Sequence, residues 1–404
     1  MFPKRKASYS TALLPEAMND CMVVKVGSSV LSNHGRGLDL QLMMALARQI
    51  VTLRREGWHV IVVSSGAVAA GVAHLGLQHR PSRLDSLQAL AAMGQVDLMA
   101  AYQHCFSQCG LRIAQILLTY DDLKDRQRYL NTGSVLRRLL GLGVIPIINE
   151  NDVVATEELR FGDNDTLSAL VANLQEAHWL VLLTDQAGLY DRHPTEPGAR
   201  LVRQAVVNEA WLDGAAVPHG GALGRGGMAS KLAAARQAAR GGTTTVVAAA
   251  KSHEPLLAVA AGQPSGTVLR PAGPALQARK SWLAAQRSLK GTFEVDDGAV
   301  HALRHGKRSL LAIGVRDVSG SFERGDMVGC IDSQGTLIAQ GLSNYPSQEA
   351  LRIMGCPSHA IAAVLGYAHE PELIHRDNLV LISQNAAVDG AARGESASNS
   401  PHGV

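Results

Sequence analysis

Aromatic side chains are scarce: Phe, Trp and Tyr make up 4% of the 404 residues. A core of this size must then be aliphatic and alanine-rich. Long apolar runs are missing too, and none approaches the ~18 residues that a membrane span needs. The first residues, MFPKRKASYSTALLPEAMND, are basic but contain no continuous apolar stretch, which argues against a secretory signal. Charge of one sign is also lacking. Lys and Arg number 38 against 35 Asp and Glu, and a net +3 argues neither for nor against a nucleic-acid partner. The five cysteines, Cys21, Cys105, Cys109, Cys330 and Cys356, are an odd, scattered set that suits a reducing cytoplasm. Cys105 and Cys109 lie one helical turn apart, as metal ligands do. We read them as two small residues on an apolar helix face. No Ser-His-Asp or zinc constellation stands out, and the scattered histidines receive no role.

What is present is a globular composition, 46% apolar and 18% charged, long enough for two domains or three. Residues 1–20 read as a loosely ordered tail. From Cys21 to about Arg270, strand-like runs (Cys21–Val26, His59–Val63, Ile113–Leu118, Val144–Ile148, Trp179–Leu183, Thr243–Ala248) alternate with helical segments. Continuous apolar strands separated by helices predict an α/β domain, an open, mostly parallel sheet sandwiched by helices. Residues 271–290, with prolines, cations and no strand, read as a linker. Residues 291–368 change class: FEVDD, SLLAIGV, GDMVGCID and LIAQGLS are short strands between Gly and Asp turns, a small β-rich module. Residues 369–404 form an extension that lacks core residues from about 386 and is expected to be disordered.

Chemistry concentrates at strand ends. Asn149–Ala169, NENDVVATEELRFGDNDTLSA, holds six carboxylates (Glu150, Asp152, Glu157, Glu158, Asp163, Asp165) and one cation, Arg160. It follows the Val144 strand and runs into a helix that Asn164 or Asp165 would cap. A solvated acidic loop is the plain reading. Its place beyond a strand's C-terminal end, where open α/β sheets bind ligands, favours a substrate-selecting segment. Lys25 lies in an apolar strand, where a charge is costly without an anionic partner, and Gly27-Ser28-Ser29 follows it. Ser64-Ser65-Gly66 ends the second strand just before a helix, a place for an anion or simply for an N-cap. Thr184-Asp185 ends another strand ahead of Gly188. Asp185 and Asp191 are candidate ribose or metal contacts, although turn-forming Asp is the commoner role.

The strongest phosphate signal is Gly220 to Lys231, with five glycines in eight residues before a helix whose first turn carries Lys231. Neither the P-loop pattern nor G-x-G-x-x-G occurs. Two lysines, glycine-bearing loops and an acidic segment together suit phosphoryl transfer, which depends on alignment and positive charge.

Taken in order, VVKVGSSVL, VVSSGAVAAG, INENDVVA, RFGDNDTLSA, LLTDQAGLY and GRGGMASKL resemble the glutamate 5-kinase family of the amino-acid kinase superfamily. The part after Gly291 resembles the PUA module that many of these kinases carry. The resemblance implies ATP-dependent phosphorylation of the γ-carboxylate of L-glutamate, the first step of proline biosynthesis, with feedback inhibition by proline. Carried over, Lys25 and Lys231 are catalytic, and Lys25 also contacts the ATP phosphates. Ser65, Asp152 and Asn164 bind glutamate. Thr184, Asp185, Arg225, Gly226, Gly227, Met228, Ala229, Ser230 and Lys231 bind ATP. Mg²⁺ is expected to bridge the phosphates, with no dedicated protein ligands assigned. Arg225 stands where the family more often has Thr, and Ala229 where Ser is usual. Val153–Arg160 reads as a flap. The resemblance further implies a homo-oligomer, dimer or tetramer, in the cytoplasm. The alternatives are a sister kinase acting on another carboxylate, or an RNA-binding protein led by the PUA-like module. Against the latter, residues 291–368 hold only Phe293, Phe322, Tyr345 and Tyr367 as aromatics, among mixed charges.

Overall fold

The computed structural model describes residues 20–32, 37–155, 164–216, 227–273, 289–306, 308–367 and 370–382. Residues 1–19, most of the expected linker, the 383–404 stretch and most of the expected flap lie outside them. The chain divides into two compact units. Among the described residues no helix is long and apolar enough to cross a membrane.

The first unit comprises Met1–Leu118, Arg137–Ala238 and Thr243–Arg270. Its sheet has eight strands: β1 (Cys21–Val26), β2 (His59–Ser64), β3 (Arg112–Leu118), β4 (Val144–Glu150), β5 (Trp179–Thr184), β6 (Gln204–Val206), β7 (Thr244–Ala249) and β8 (Thr267–Arg270). Their order is β3-β4-β2-β1-β5-β7-β8-β6. All pairings are parallel except β7 with β8. Central β1 is buried along its whole length, which is why its sequence is continuously apolar apart from Lys25. Edge strand β3 is more exposed and correspondingly mixed, RIAQILL. The earlier strands β2, β4 and β3 lie to one side of β1 and the later strands β5, β7, β8 and β6 to the other, so the topology reverses beside β1. Open α/β sheets bind their ligands at such a reversal, beyond the strands' C-terminal ends. Helices Leu40–Arg55 and Leu84–Gln108 add Leu46, Ile50, Leu53, Leu98, Tyr102 and Phe106 to the core. Cys105 is buried among them, as its place on an apolar helix face suggested.

Helix Ala67–His74 and helix Leu84–Gln108 meet backbone to backbone. A Cβ at Gly94 would stand 1.9 Å from Ala67 O, and one at Gly71 would stand 2.1 Å from Leu90 O. Gly94→Ala is accordingly expected to cost about 1–3 kcal/mol by forced separation of the two helices. A lower midpoint in urea unfolding with an unchanged slope would record it. A midpoint equal to wild type would mean that the crossing tolerates a methyl group.

The second unit comprises Thr119–Leu136, Ala239–Gly242 and Pro271–Val404. Its sheet has the order β10-β9-β11-β12-β13, with β9 (Gly291–Val295), β10 (Val315–Gly320), β11 (Met327–Ile331), β12 (Leu337–Leu342) and β13 (Leu379–Leu381). Two features differ from the sequence reading. SLLAIGV is not a strand: Leu310 makes an isolated bridge, Ala312–Gly314 is a 3₁₀ turn, and β10 starts only at Val315. The module also continues past residue 368. β13 pairs with β12, and Leu373, Ile374 and Leu379 enter the core, giving an apolar face to what reads as an extension.

The Thr119–Leu136 segment is part of this unit although it lies between β3 and β4 in the chain. Leu130 packs with Met327, Leu342 and Val380, flanked by Tyr129 and Leu289. Arg324 donates to the Asn131 side chain, and the Ser134 hydroxyl donates to Glu370.

Candidate active site

Parallel pairing sets the C-terminal ends of β4, β2, β1 and β5 side by side: Val26 lies across from Ser64 and Leu183, and Val63 from Ile148. Lys25, Ser65, Asn149 and Thr184 thus emerge along one edge. Helix Asn164–Leu174 packs over these same strands and brings its first turn to them.

That turn supplies the counter-charge that Lys25 needs. Asp165, fully buried, stands 2.6 Å from Lys25 Nζ through Oδ1 and 3.1 Å from Lys231 Nζ through Oδ2. The Ser230 hydroxyl is 2.8 Å from the same Oδ2. Both lysines are buried as well, at 4% and 5% exposure. Burial by itself raises the Asp165 carboxyl, but the charges of Lys25 and Lys231 outweigh it and hold the group below the usual carboxylate range. The three groups together carry a formal +1, in a place where few waters screen it. Such a site offers charge to an anion without reorganising when the anion gains charge.

Beside it lies a chain of carboxamides. Asn164 Nδ2 donates to Ser64 O at 2.5 Å, to Asn149 Oδ1 at 2.9 Å and to Ser65 Oγ at 3.1 Å. Asn149 Nδ2 donates to Gln95 Oε1 at 2.8 Å. The backbone N–H of Ser65 donates to Val26 O, which ties the end of β2 to β1. Gly66, at φ +101°, is the N-cap of helix Ala67–His74 and has no side-chain cap. Ser65 is therefore not the cap, and its hydroxyl faces Asn164 instead.

Asp152 follows β4 in a turn held by Val154 and Ala155 N–H groups donating to Asn151 O. Its carboxylate accepts no hydrogen bond among the described residues. Burial pushes it up to about 6, against the opposing pull of Arg80. A half-buried carboxylate with no hydrogen-bonding partner of its own is the kind of group that awaits a cation.

The structure thus joins Lys25, Ser230 and Lys231 through Asp165, and Ser65 to Asn164. Thr184 ends β5, the strand next to Lys25, and donates to Asp185 Oδ1 at 3.0 Å. Gly227, Met228 and Ala229 lead into Lys231; Gly227 O accepts from the Ser230 hydroxyl at 2.9 Å and from the Lys231 N–H. Arg225 and Gly226 lie outside the described residues, as do Glu157, Glu158, Arg160 and Asp163. Two participants were not given these roles from sequence. Asp165 reads there as one acid among six and as a helix cap. Its signal was the need of two lysines for a shared anion. Gln95 sits in AAMGQVDLMAA, where only a Gly-Gln pair inside an apolar helix hints at anything unusual.

The amino acid kinase family matches residues 20–249, and the PUA domain matches residues 291–365. A glutamate 5-kinase of Pseudomonas entomophila (strain L48) is 52% identical over 361 residues, 89% of this chain and 97% of that protein. One from Chromohalobacter salexigens is 54% identical over 362 residues, covering 89% and 96%. One from Nitrosococcus oceani is 54% identical over 361 residues, also covering 89% and 96%.

Proposed function

The chain belongs to the amino acid kinase family and, within it, to the glutamate 5-kinases; on that premise we propose that it transfers the γ-phosphoryl group of ATP to the γ-carboxylate of L-glutamate. The product is γ-glutamyl phosphate, formed in the first step of proline biosynthesis. The observation that carries the reading is the buried Lys25–Asp165–Lys231 cluster set directly beside the Ser65–Asn164 cluster.

The chemistry asks little of the protein in proton transfer. A γ-carboxylate is already an anion at neutral pH, so no general base is needed. One of its oxygens forms the new bond to the γ-phosphorus, the bond from phosphorus to the bridging oxygen breaks, and ADP leaves with the electron pair. Charge spreads over the phosphoryl oxygens on the way. Lys25 and Lys231 offset it, and Asp165 keeps both ammonium groups in place. Thr184, Asp185 and the Gly227–Lys231 turn hold the nucleotide, and Mg²⁺ supplies further charge across the phosphates when bound. Asn164 presents little donor capacity to the substrate, because its N–H₂ group already serves Ser64 O, Asn149 Oδ1 and Ser65 Oγ. Its Oδ1 remains as an acceptor for the α-ammonium of glutamate, alongside the Asp152 carboxylate.

The test is ATP turnover with L-glutamate and hydroxylamine, which traps the acyl phosphate as a hydroxamate. Hydroxamate with glutamate is the expected result. Hydroxamate only with aspartate or N-acetylglutamate would overturn the assignment in favour of a sister kinase.

Asp152 gives a pH signature. Its carboxyl titrates at about 6, so below that pH it is protonated and neutral and no longer pairs with the α-ammonium. The KM for glutamate is expected to rise as pH falls through this range, approaching about tenfold per unit once the group is mostly protonated. Asp152→Asn should raise the glutamate KM by about 10- to 100-fold and abolish that dependence, with the ATP KM unchanged. A rise in the ATP KM alone would mean that Asp152 serves the other ligand.

The reading extends to proline as an inhibitor at the acceptor site, since it shares the α-amino acid head. Insensitivity to millimolar proline would remove this. It includes a homo-oligomer, to be read by light scattering, and a cytoplasmic location, which five free thiols suit. The PUA match favours RNA binding as a second property of the C-terminal module; filter binding without salt-sensitive affinity would exclude it.

A further inference from the structure

Gln95 lies in the middle of the 25-residue helix Leu84–Gln108 and is 9% exposed. A buried carboxamide is costly unless its donors and acceptors are used. Which way round it stands follows from two backbone groups that have no ambiguity. Ser64 O only accepts, so the Asn164 atom 2.5 Å from it is nitrogen. The Glu150 N–H only donates, so the Asn149 atom 2.9 Å from it is oxygen. That same oxygen takes an Asn164 N–H. Asn149 Nδ2 therefore faces Gln95, and the Gln95 atom 2.8 Å away is the acceptor Oε1. Gln95 Nε2 is left buried with no hydrogen-bond partner among the described residues.

A residue present for packing alone would be served better by leucine or methionine, which bury no orphan donor. The helix is also pinned at this point: Gly94, next in sequence, is in backbone contact with Ala67, just after Ser65-Gly66. We infer that Gln95 is a positioning residue of the acceptor site, anchoring Asn149 and, through it, the Asn164 carboxamide that faces Ser65. No catalytic or packing role is needed to explain it. The inference rests on the glutamate-kinase reading for the identity of the acceptor.

Gln95→Met is close in volume and removes both the anchor and the orphan donor. The expected result is a glutamate KM raised about tenfold, the loss of one buried hydrogen bond. The ATP KM and kcat should stay within about twofold, with a melting temperature close to wild type, because the orphan donor removed at Gln95 is exchanged for Asn149 Nδ2 left without its acceptor. A double-mutant cycle supplies the readout that a structural role would not give. If Gln95 acts through Asn149, Gln95→Met adds nothing to the glutamate KM in an Asn149→Ala background. An unchanged glutamate KM in the single variant would overturn the inference. So would additive effects in the cycle, or a lower melting temperature with both KM values raised. Wild-type enzyme that forms no hydroxamate from glutamate would overturn the functional reading and this inference with it, and the wild-type arm alone reveals that case.

Discussion

Lys25→Met is expected to lower kcat by about 10²- to 10³-fold, the loss typical of removing one preorganised charge from a developing anion, while the KM for glutamate stays within a few-fold. Lys25 is 2.6 Å from Asp165 and 4% exposed, so its charge is held in place and poorly screened. Its attraction for the phosphoryl oxygens grows as they gain charge, and an interaction that strengthens in the transition state appears in kcat rather than in substrate affinity. Methionine matches the length of the stem, so β1 should keep its packing. Steady-state rates at saturating ATP and glutamate provide the check. An unchanged kcat would remove Lys25 from the chemistry and leave Lys231 as the acting cation.

Asp165→Asn should be costly in stability as well as in rate. It leaves two lysines, each at most 5% exposed, facing each other without the carboxylate between them. Breaking buried ion pairs by removing one partner costs about 3–5 kcal/mol. Urea unfolding at neutral pH would show it directly. The pH dependence carries a sign. The folded-state pKa of Asp165 is depressed, so its contribution is fully present above the unfolded carboxylate value, near 4. It is lost as pH falls through the folded value. Asp165→Asn should therefore lose stability at neutral pH and show a shallower acid limb than wild type. Saturating ATP should recover more stability in the variant than in wild type, because polyphosphate then neutralises two uncompensated cations. Equal stabilities at neutral pH would mean that the lysines find other anions.

The strand–helix alternation showed in the sequence because β1, β2, β4, β5 and β7 are short, mostly apolar runs buried along most of their length, and Leu180–Leu183 cannot be mistaken for a loop. Lys25 was legible for the opposite reason, as a charge where none belongs. A buried lysine demands an anion without identifying it, and Asp165 is 140 positions further along the chain and one acid among several in its segment. β8 was missed because TVLR is only four residues long. The stretch SLLAIGV misled because apolar residues of a 3₁₀ turn and a bridge have no distinguishing period. Gln95 was hidden for a third reason: hydrogen-bond chains among Asn and Gln leave no pattern in sequence, only a polar residue on an otherwise apolar helix.

The grouping of Thr119–Leu136 with the second sheet bears on how the chain is made. Asn131 and Arg324 are 193 positions apart, so on a ribosome adding roughly 5–20 residues per second the early segment waits about 10–40 s for its partner. Tyr129 and Leu130 emerge long before Met327, Leu342 and Val380 exist to cover them. During that interval Leu130 lacks the apolar cover that Met327, Leu342 and Val380 give it in the finished fold, and the surface it lies on stays open. Full-length synthesis is thus built into the fold as a condition for completing it. A chain ended after Arg270 would keep that surface open permanently, and its solubility, before its activity, is expected to be the first property to suffer.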